Sequence, residues 1–443
     1  MILRSSNVFC RCERFLHGNL NLSSPSHFSS LTLTFYVILY YFFIISKIKR
    51  LLERRKTDIL PYKSVTRKCP FVWYKVCYNI KMGNGNTKIA IVTGPTGGHF
   101  FPGLAIGEEL GEKGNISVSF LIPNRKYLIM WLKKKEFQYR IIPEVRINFR
   151  NIFLMVRFAY IFLRCVLLLS REKFDLLVIT GSYVTLPFLL AGRLLNIKTF
   201  VHEQNLLPGR VTRFSSLIAD RIALSFPSFC NLPRRKTVVT GFPIIKDFRK
   251  KSCVDEIRRE FGFSAHARTI LVLGGSQGAT FLNMLIEKNL DYLSKKNLQF
   301  LHLAGKDKEK LTQAYEKHKV RAVVFDFCYD MAKLYSITDI AICRGGGGTL
   351  AEISEWKIPS LVVPYPHAGA HQRYNALYFA ERGACNILEQ GPDAIRDFRV
   401  SFEKTLKDVH IIKRNLEENS ISDSTGNTVE QIMELLGNGK RHS

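Results

Sequence analysis

The chain has 443 residues, of which 46 % are hydrophobic, which is enough for two or three domains with sizeable cores and excludes a disordered tail. Its 65 Lys and Arg against 37 Asp and Glu give a net charge of +28, which favours an anionic partner: nucleic acid, a membrane face or a phosphorylated small molecule. The ten cysteines include no C-x-x-C pair, so the sequence indicates neither a zinc site nor a disulfide framework. A reducing cytoplasm is the simplest interpretation.

The first 86 residues form a basic N-terminal extension, with 14 Lys and Arg against 3 Asp and Glu. An apolar run of 16 residues, 31–46, is just shorter than the roughly 17–25 residues of a membrane-spanning helix. If this possible membrane segment spans, the basic cluster that follows it places the downstream chain in the cytoplasm. The alternative is that translation starts at Met82, directly before the first well-formed strand.

From Lys88 onward, apolar strands alternate with helical segments. The strand KIAIVTG runs into the glycine loop GPTGGHFFPG, and TILVLGGSQGAT repeats this design 180 residues later, at Gly274 after Gly94. The pattern predicts an α/β fold with two doubly wound halves and ligands at the carboxyl ends of the strands. We place the boundary in VVTGFPIIKDF, which gives an N-terminal domain of residues 87–245 and a C-terminal domain of residues 246–443 with a terminal helix.

A further glycine turn lies in AICRGGGGTLAEISEW, where an apolar strand runs into four consecutive glycines and then a helix. Thr349 and Glu352 have the spacing of a capping box, which would explain both residues as a helix start. The capping box does not explain the glycines at 345–348, because each one beyond the first or second costs about 0.5–1 kcal/mol in chain entropy. We therefore expect a close approach to this backbone. Three glycine turns in one chain favour a phosphate-bearing ligand held by amides and helix N-termini.

The segment NIFLMVRFAYIFLRCVLLLSREKF, residues 151–174, predicts a helix that is apolar almost all round. Its Arg157, Arg164 and Arg171 recur every seven residues, so they stay on one face with a drift of about 20° per heptad. An apolar helix with an arginine stripe suits the lipid boundary, where the cations meet phosphates. The alternative is a helix buried in the first domain with its arginines at the rim.

Four stretches, in order along the chain, resemble the MurG family of glycosyltransferases: GPTGGHFFPGLAIGEEL, a segment at 181–226 that contains HEQN, VLGGSQGA, and CRGGGGTLAEISEWKIPSLVVPYPHAGAHQRYNA. The resemblance spans about residues 88 to 437. It implies a GT-B fold, in which two Rossmann-like domains face each other across a cleft and hold the acceptor mainly in the first and the UDP-sugar in the second. The implied activity is an inverting, metal-independent transfer of N-acetylglucosamine from UDP-N-acetylglucosamine to lipid I in peptidoglycan synthesis.

The resemblance also implies roles for individual residues. The loop facing the transferred sugar and the acceptor phosphates would consist of Thr96, Gly97, Gly98 and His99. The implied donor contacts are Asn205 to the sugar, Ser276 to the diphosphate, the Cys328 backbone to the uracil, Glu352 to the ribose, His371 and Gln372 to the nucleotide or sugar, and the turn residues Gly347, Gly348, Thr349, Leu350 and Ala351.

His99 is the candidate catalytic residue. It follows a glycine turn at the end of a strand, and an imidazole suits a base or a phosphate partner. Residues 113–135 contain no carboxylate, so no Asp or Glu there can activate the acceptor hydroxyl. Two other residues have alternatives: Ser276 can merely cap its helix, and His202 can equally be a satisfied core histidine or a direct participant.

One stretch departs from the family pattern G-N-P-x-R, in which the Arg reaches the donor phosphates. Phe242 stands at the Asn position and Ile245 at the Arg position, so a charged contact is lost unless Lys246 compensates. Two alternatives therefore stay open. The chain can be a relative that uses another lipid acceptor or UDP-sugar, or a degenerate, non-catalytic protein that binds nucleotide or lipid.

The expected partners are UDP-N-acetylglucosamine, the lipid-linked acceptor and an anionic membrane surface, and not nucleic acid. The chain contains no D-x-D motif, so the interpretation needs no metal, and we expect no cofactor. In the family, the region corresponding to 151–174 is thought to associate with the membrane. We expect this chain at the cytoplasmic face of the plasma membrane, peripheral or anchored by its N-terminal segment.

Overall fold

The computed structural model describes residues 87–144, 152–228, 230–274, 280–366, 371–419 and 421–437. The N-terminal extension with its apolar segment at 31–46, and Ser276, lie outside these residues. The described part contains two α/β halves that follow one another along the chain.

The first half is built on a parallel sheet with the strand order β3-β2-β1-β4-β5-β6-β7. The strands are β1 (Thr87–Val92), β2 (Ile116–Pro123), β3 (Gln138–Ile142), β4 (Leu176–Ile179), β5 (Lys198–Glu203), β6 (Arg221–Leu224) and β7 (Thr237–Val239). The helices between them are α1 (Gly97–Gly111), α2 (Lys126–Lys134), α3 (Ile152–Glu172), α4 (Leu186–Leu194) and α5 (Arg210–Ile218).

The second half has a parallel sheet with the order β10-β9-β8-β11-β12-β13. After helix α6 (Val254–Glu260), its strands are β8 (Arg268–Leu273), β9 (Leu298–Leu303), β10 (Ala322–Phe325), β11 (Ile340–Cys343), β12 (Ser360–Val362) and β13 (Asn386–Ile387). The other helices are α7 (Thr280–Glu287), α8 (Leu290–Leu293), α9 (Lys308–Lys317), α10 (Met331–Ser336), α11 (Gly347–Glu355), α12 (His371–Ala380), α13 (Ala394–Glu418) and α14 (Ser424–Gly437).

The central strands are continuous apolar runs because helices cover both faces of each parallel sheet. The Leu-Leu-Val-Ile sequence of β4 and the Ile-Ala-Ile-Cys sequence of β11 are fully buried. In the first sheet, successive strands are added on one side of β1 as far as β3, and the next strand, β4, is added on the other side of β1. The second sheet has the same switch between β8 and β11. Ligands of doubly wound folds bind at the carboxyl ends of strands at such switch points. The predicted architecture of two doubly wound halves is confirmed.

The linker between the halves is anchored to both of them by a short 3-10 turn, Lys246–Arg249. The Phe248 ring packs against Phe101 of α1 and Trp131 of α2, in the first half. The Phe248 carbonyl accepts a hydrogen bond of 2.7 Å from the indole Nε1 of Trp356, in the second half. Phe248 therefore attaches the linker to the first half through its ring and to the second half through its carbonyl.

The terminal helix α14 packs on the first half, against α1 and β5. Its Thr428 hydroxyl donates to the Thr240 hydroxyl at 2.9 Å, and Lys198 of β5 donates to the Leu435 carbonyl at 2.6 Å. This packing departs from the expected division, which placed the terminal helix with residues 246–443 as part of the second half. Sequence position alone did not reveal it, because the helix returns across the linker after α13.

The residues that depart from G-N-P-x-R are structural here. Ile245 is 1 % exposed and Phe242 is 4 % exposed, and both belong to the hydrophobic core. The Lys246 ammonium pairs with Glu109 of α1 and with Glu112, the residue that follows α1, and the Lys246 backbone N–H donates to Glu108. In this structure the Lys246 charge is paired with carboxylates of the first half, so nothing in this arrangement favours Lys246 as a substitute for the missing arginine.

We expect that restoring the arginine with Ile245→Arg destabilises the fold. The guanidinium would enter an apolar site without a carboxylate partner, and an uncompensated buried charge costs roughly 3–5 kcal/mol. Urea unfolding followed by circular dichroism measures the loss, with Ile245→Val as the control, for which about 0.5–1.5 kcal/mol is expected. An unchanged unfolding midpoint for the Arg variant would contradict the burial of this side chain.

Candidate active site

The loop after β1 brings His99 to the carboxyl ends of two neighbouring strands. Thr96 is the N-cap residue of α1, and its side chain makes no capping hydrogen bond. His99 lies in the first turn, with its Nδ1 2.7 Å from the Thr180 carbonyl oxygen after β4 and 3.0 Å from Oε1 of Gln204 after β5. The ring of His99, which follows β1, is thus fixed by groups at the ends of β4 and β5, while Gly98 beside it is exposed.

The segment that follows β5 is organised by a buried carboxylate. Glu203 is 3 % exposed, and its Oε1 accepts hydrogen bonds from the backbone N–H and side-chain amide of Asn205, at 3.0 and 3.2 Å. Its other oxygen accepts from the Gly209 N–H at 3.1 Å and from the Thr212 hydroxyl. Four donors satisfy this carboxylate, so Glu203 shapes the loop. Glu203 lies inside the HEQN motif, but its residue type and position alone predicted no role for it.

Asn375 of α12 joins this loop to the glycine turn of the second half. It is fully buried, and its Nδ2 donates to the Asn205 side-chain oxygen and to the Gly345 carbonyl, each at 3.1 Å. Its Oδ1 accepts from the Leu206 N–H at 2.9 Å. Beside it, Nδ1 of His371 lies 2.9 Å from the Leu207 carbonyl. Asn205 and His371, both predicted to contact the donor, are thus held in contacts between the two halves.

The predicted capping box is wrong. Helix α11 begins at Gly347 with Gly346 as its N-cap residue, and no side chain caps it. Thr349 is therefore already the third helical residue, too late to serve as the cap. Glu352 instead accepts a hydrogen bond of 2.6 Å from the Tyr335 hydroxyl of α10.

The glycines of the turn are required partly by the chain itself. A Cβ at Gly345 would overlap the Gln372 carbonyl oxygen, and one at Gly347 would overlap the Gln204 carbonyl oxygen. A Cβ at Gly348 would lie 3.2 Å from the Phe242 ring. Backbone and aromatic groups of the protein thus account for part of the close approach that the sequence predicted, and the contact with the donor stays a prediction. The first amides of α11 stay without a hydrogen-bond partner among the described residues, as at any uncapped helix start.

A buried cation precedes the glycine turn. Arg344 is 7 % exposed and donates to the Val363 carbonyl at 3.0 Å and to Oε1 of Gln390 at 2.8 Å. Its guanidinium lies over the rings of Phe281 and Tyr365, 5.5 and 5.6 Å from their centroids. Burial lowers the pKa of Arg344, and no carboxylate pairs with it within the described ranges. Arg344 stands directly before the four glycines, but no sequence pattern predicted a role for it.

Glu352 lies in a site that favours its neutral form. Burial raises the pKa of this carboxyl to about 7, and the hydrogen bond from Tyr335 opposes that rise. Glu352 can therefore change its charge near neutral pH. Nearby, the half-buried Cys328 stands between two exposed aromatic residues, Phe327 and Tyr329, whose ring centroids are 4.7 Å apart.

The structure also shows the surroundings of the other residues predicted to contact a ligand. Gln372 accepts a hydrogen bond of 3.1 Å from the Tyr365 N–H. Leu350 is 2 % exposed and belongs to the core, so only its backbone can face a ligand, whereas Thr349 and Ala351 are half-buried and Gly97 is buried. In the described part of the chain, no group of three or more His, Cys, Asp or Glu could hold a metal ion.

Helix α3 buries one face and exposes the other. Ile161, Cys165 and Leu169 are buried, whereas the three predicted arginines are exposed together with Tyr160. The exposed face also carries large apolar side chains: Val156, Leu163 and Leu167. Among the described helices, α3 is the one that is long and apolar enough to cross a membrane by length and composition. The arginines thus border an exposed apolar face, whereas the alternative was a helix buried in the first domain with its arginines at the rim.

Known proteins resemble the chain over both halves. The glycosyltransferase family 28 N-terminal domain matches residues 89–224, and the family 28 C-terminal domain matches residues 269–429. A UDP-N-acetylglucosamine–N-acetylmuramyl-(pentapeptide) pyrophosphoryl-undecaprenol N-acetylglucosamine transferase of Prochlorococcus marinus (strain MIT 9211) is 30 % identical over 361 residues, 79 % of this chain and 93 % of that protein. The enzyme of the same name from Elusimicrobium minutum is 29 % identical over 76 % of this chain and 95 % of its own length.

Solved structures also resemble this chain over both halves. The crystal structure of MurG from Acinetobacter baumannii superposes with a TM-score of 0.63 at 25 % identity, covering 79 % of this chain and 99 % of that chain. The UDP-GlcNAc 2-epimerase of Neisseria meningitidis shares the fold, with a TM-score of 0.58 at 16 % identity over 79 % of this chain and 99 % of its own. The resemblance indicated by the sequence motifs is confirmed: the chain belongs to the MurG family of glycosyltransferases, the UDP-N-acetylglucosamine–N-acetylmuramyl-(pentapeptide) pyrophosphoryl-undecaprenol N-acetylglucosamine transferases.

Proposed function

We propose that this chain transfers N-acetylglucosamine from UDP-N-acetylglucosamine to lipid I, an undecaprenyl-diphospho-muramoyl-pentapeptide. The observation that carries the proposal is the meeting of the loop at 204–206 with the glycine turn at 345–348. His99 lies on the first-half side of this contact, beside Gln204, and the start of α11 lies on the second-half side. A base and an anion-binding helix start are the two elements that a transfer from a nucleotide diphosphate sugar requires.

The second half would bind the donor. The free amides and dipole of α11 suit the diphosphate, and Arg344 adds a positive charge directly before them. Glu352 would accept hydrogen bonds from the ribose hydroxyls, and the Cys328 backbone would contact the uracil beside the rings of Phe327 and Tyr329. Ser276 remains a predicted diphosphate contact and lies outside the described residues.

The first half would bind the acceptor and activate it. In the proposed reaction, His99 removes the proton from the acceptor hydroxyl as its oxygen bonds to C1 of the sugar. The bond between C1 and the diphosphate oxygen breaks, and the electron pair leaves with UDP. Attack from the face opposite the leaving group inverts C1. The developing negative charge on the diphosphate is stabilised by the helix start and Arg344.

Calorimetric titration with UDP, followed by turnover with a soluble lipid I analogue, tests this proposal. Binding together with turnover supports it. Binding without turnover would instead favour the degenerate, non-catalytic alternative, which the loss of the G-N-P-x-R arginine motivates. Turnover with a different UDP-sugar or lipid acceptor, and not with these substrates, would favour the related transferase.

Helix α3 would bind an anionic membrane surface at the cytoplasmic face of the plasma membrane. Its exposed apolar side chains would enter the interface while Arg157, Arg164 and Arg171 meet lipid phosphates. A lipid-linked acceptor lies in such a surface, so this contact would bring the first half to its substrate. The N-terminal extension would add a second, independent attachment.

We expect Glu352→Gln to weaken UDP binding about 10- to 100-fold, because hydrogen bonds to a charged group contribute about 1.5–3 kcal/mol. If the ribose binds the ionised carboxylate, UDP affinity of the parent rises with pH up to the carboxyl pKa of about 7 and then levels. The variant lacks that part of the pH dependence. Calorimetry from pH 5.5 to about 8.5 measures both effects, and the titration of UDP itself is common to both proteins.

The control for this substitution is Glu355→Gln, on the last turn of the same helix, where the carboxylate pairs with Arg249 at 3.2 Å. It makes the same chemical change away from the proposed ribose contact and should keep the parent affinity. Equal UDP affinities for the Glu352 variant, the control and the parent would rule out a ribose contact at Glu352.

Replacing Arg157, Arg164 and Arg171 together by Gln should reduce binding to phosphatidylglycerol-containing vesicles about 100-fold. Each cation near an anionic surface contributes about 1 kcal/mol, and the difference should fade at high salt. Vesicle sedimentation with a chain starting at Met82 excludes the N-terminal segment. The control removes three exposed lysines of α13, with Lys404, Lys407 and Lys413 changed to Gln. If both triple variants lose the same affinity, net charge rather than α3 drives binding.

A further inference from the structure

The side chain of Gln204 is buried between two histidines, and its orientation is determined by its partners. It is 3 % exposed, and its Nε2 donates to the Thr180 carbonyl at 2.6 Å and to the His202 carbonyl at 3.0 Å. Nδ1 of His202 lies 3.5 Å from the same nitrogen. Two of these groups can only accept hydrogen bonds. The amide nitrogen must therefore face them, which leaves Oε1 of Gln204 directed at His99.

The surroundings of His202 agree with this orientation. Its Nε2 lies 3.3 Å from the Gly241 carbonyl oxygen and 3.4 Å from the Ser225 hydroxyl, which itself donates to the Glu203 carbonyl at 2.9 Å. Both neighbours can accept, so Nε2 carries the proton and Nδ1 is an acceptor for the Gln204 amide. Burial lowers the pKa of His202 to about 4, so the ring is neutral near pH 7.

His99 is held in the opposite tautomer. Its Nδ1 faces two acceptors, the Thr180 carbonyl at 2.7 Å and Oε1 of Gln204 at 3.0 Å. A bare nitrogen cannot satisfy either of them, so Nδ1 carries the proton. In the neutral ring, Nε2 is then unprotonated, and no hydrogen bond to it occurs within the described ranges.

We propose that Gln204 is a positioning residue that holds His99 with Nδ1 protonated and the Nε2 lone pair free to take the proton of the acceptor hydroxyl. This inference rests on the proposed role of His99 as the base. When Nε2 takes that proton, the ring becomes an imidazolium, and the two acceptors at Nδ1 stabilise its charge. The backbone of the same residue lies against Gly347, so Gln204 also links the base to the donor turn.

The tautomers are measured by nitrogen-15 NMR of histidine-labelled protein, with the signals assigned by His99→Gln and His202→Gln. In the parent protein, His99 should show a protonated Nδ1 and a bare Nε2, and His202 the reverse. Finding His99 with its proton on Nε2 would overturn the proposal without the need for any Gln204 variant. His202 serves as the internal reference for the opposite pattern.

Gln204→Met keeps the side-chain length and removes both polar groups. The His99 signals should shift toward a mixture of tautomers, and kcat should fall at least about tenfold, a part of the roughly 10²–10⁴-fold that general base catalysis contributes. The KM for UDP-N-acetylglucosamine should change less than about twofold, because the donor contacts stay in place. An unchanged His99 spectrum in this variant would overturn the proposal.

The matched control is Gln299→Met. Gln299 is 1 % exposed, and its Nε2 donates to the carbonyls of Ser264 and Ala267 and to the Thr269 hydroxyl. It lies at the amino end of β9, at the edge of the second sheet opposite the glycine turn. This variant should lose comparable stability and keep the parent kcat. Equal losses of kcat in the two variants would assign the effect to folding and contradict the positioning role.

The test separates this inference from the role on which it rests. If His99→Gln keeps the parent turnover, His99 is not the base, and another residue must act as the base in the proposed reaction. If His99→Gln abolishes turnover while Gln204→Met changes neither the tautomer nor kcat, the base is supported and the positioning role of Gln204 is wrong.

Discussion

The contact between the loop after β5 and the glycine turn before α11 is the constraint on which the site depends. It consists of neutral, directional groups: the Asn375 amide bonds to Asn205, Leu206 and Gly345, and the Gln204 carbonyl packs on Gly347. Hydrogen bonds of this kind contribute only about 0.5–1.5 kcal/mol each, because water can replace them. Such a contact can define the relative position of the two strand ends accurately and still separate at low cost when a substrate enters.

Much of the fold could be predicted from the sequence, because buried parallel strands are apolar runs that end in glycine turns. The runs before Gly94, Gly274 and Gly345 each correspond to a central strand. The arrangement of the terminal helix α14 could not be predicted in this way. Its contacts join residues more than 180 positions apart, such as Thr428 and Thr240, and local periodicity contains no information about pairs at that separation.

The candidate site was predictable in its location and less so in its contacts. The motifs placed His99 and the glycine turn correctly at strand ends. The spacing of Thr349 and Glu352 is compatible with a capping box, but it is equally compatible with the hydrogen bond from Tyr335 that Glu352 accepts in the structure. Helix α11 begins at Gly347, where the backbone packs against Gln204 of the other half, and no local pattern shows that contact. Arg344 was missed because a buried charge is recognised by its partners, and these come from distant segments. The partners of Glu203 lie within nine residues of it, but they become visible only once the loop after β5 is folded around its carboxylate.

The distribution of positive charge follows from the same packing. Ile245 lies in the core, and the Lys246 ammonium is paired with Glu109 of α1, so neither residue offers an unpaired cation to a donor. Arg344 is held by a carbonyl, an amide oxygen and two aromatic rings, all of them neutral, so its charge is not cancelled locally. The dipole of α11 adds a partial positive charge of about +0.5 at the adjacent helix start. On the proposed function, these two contributions together replace the linker arginine as the groups that stabilise the departing diphosphate.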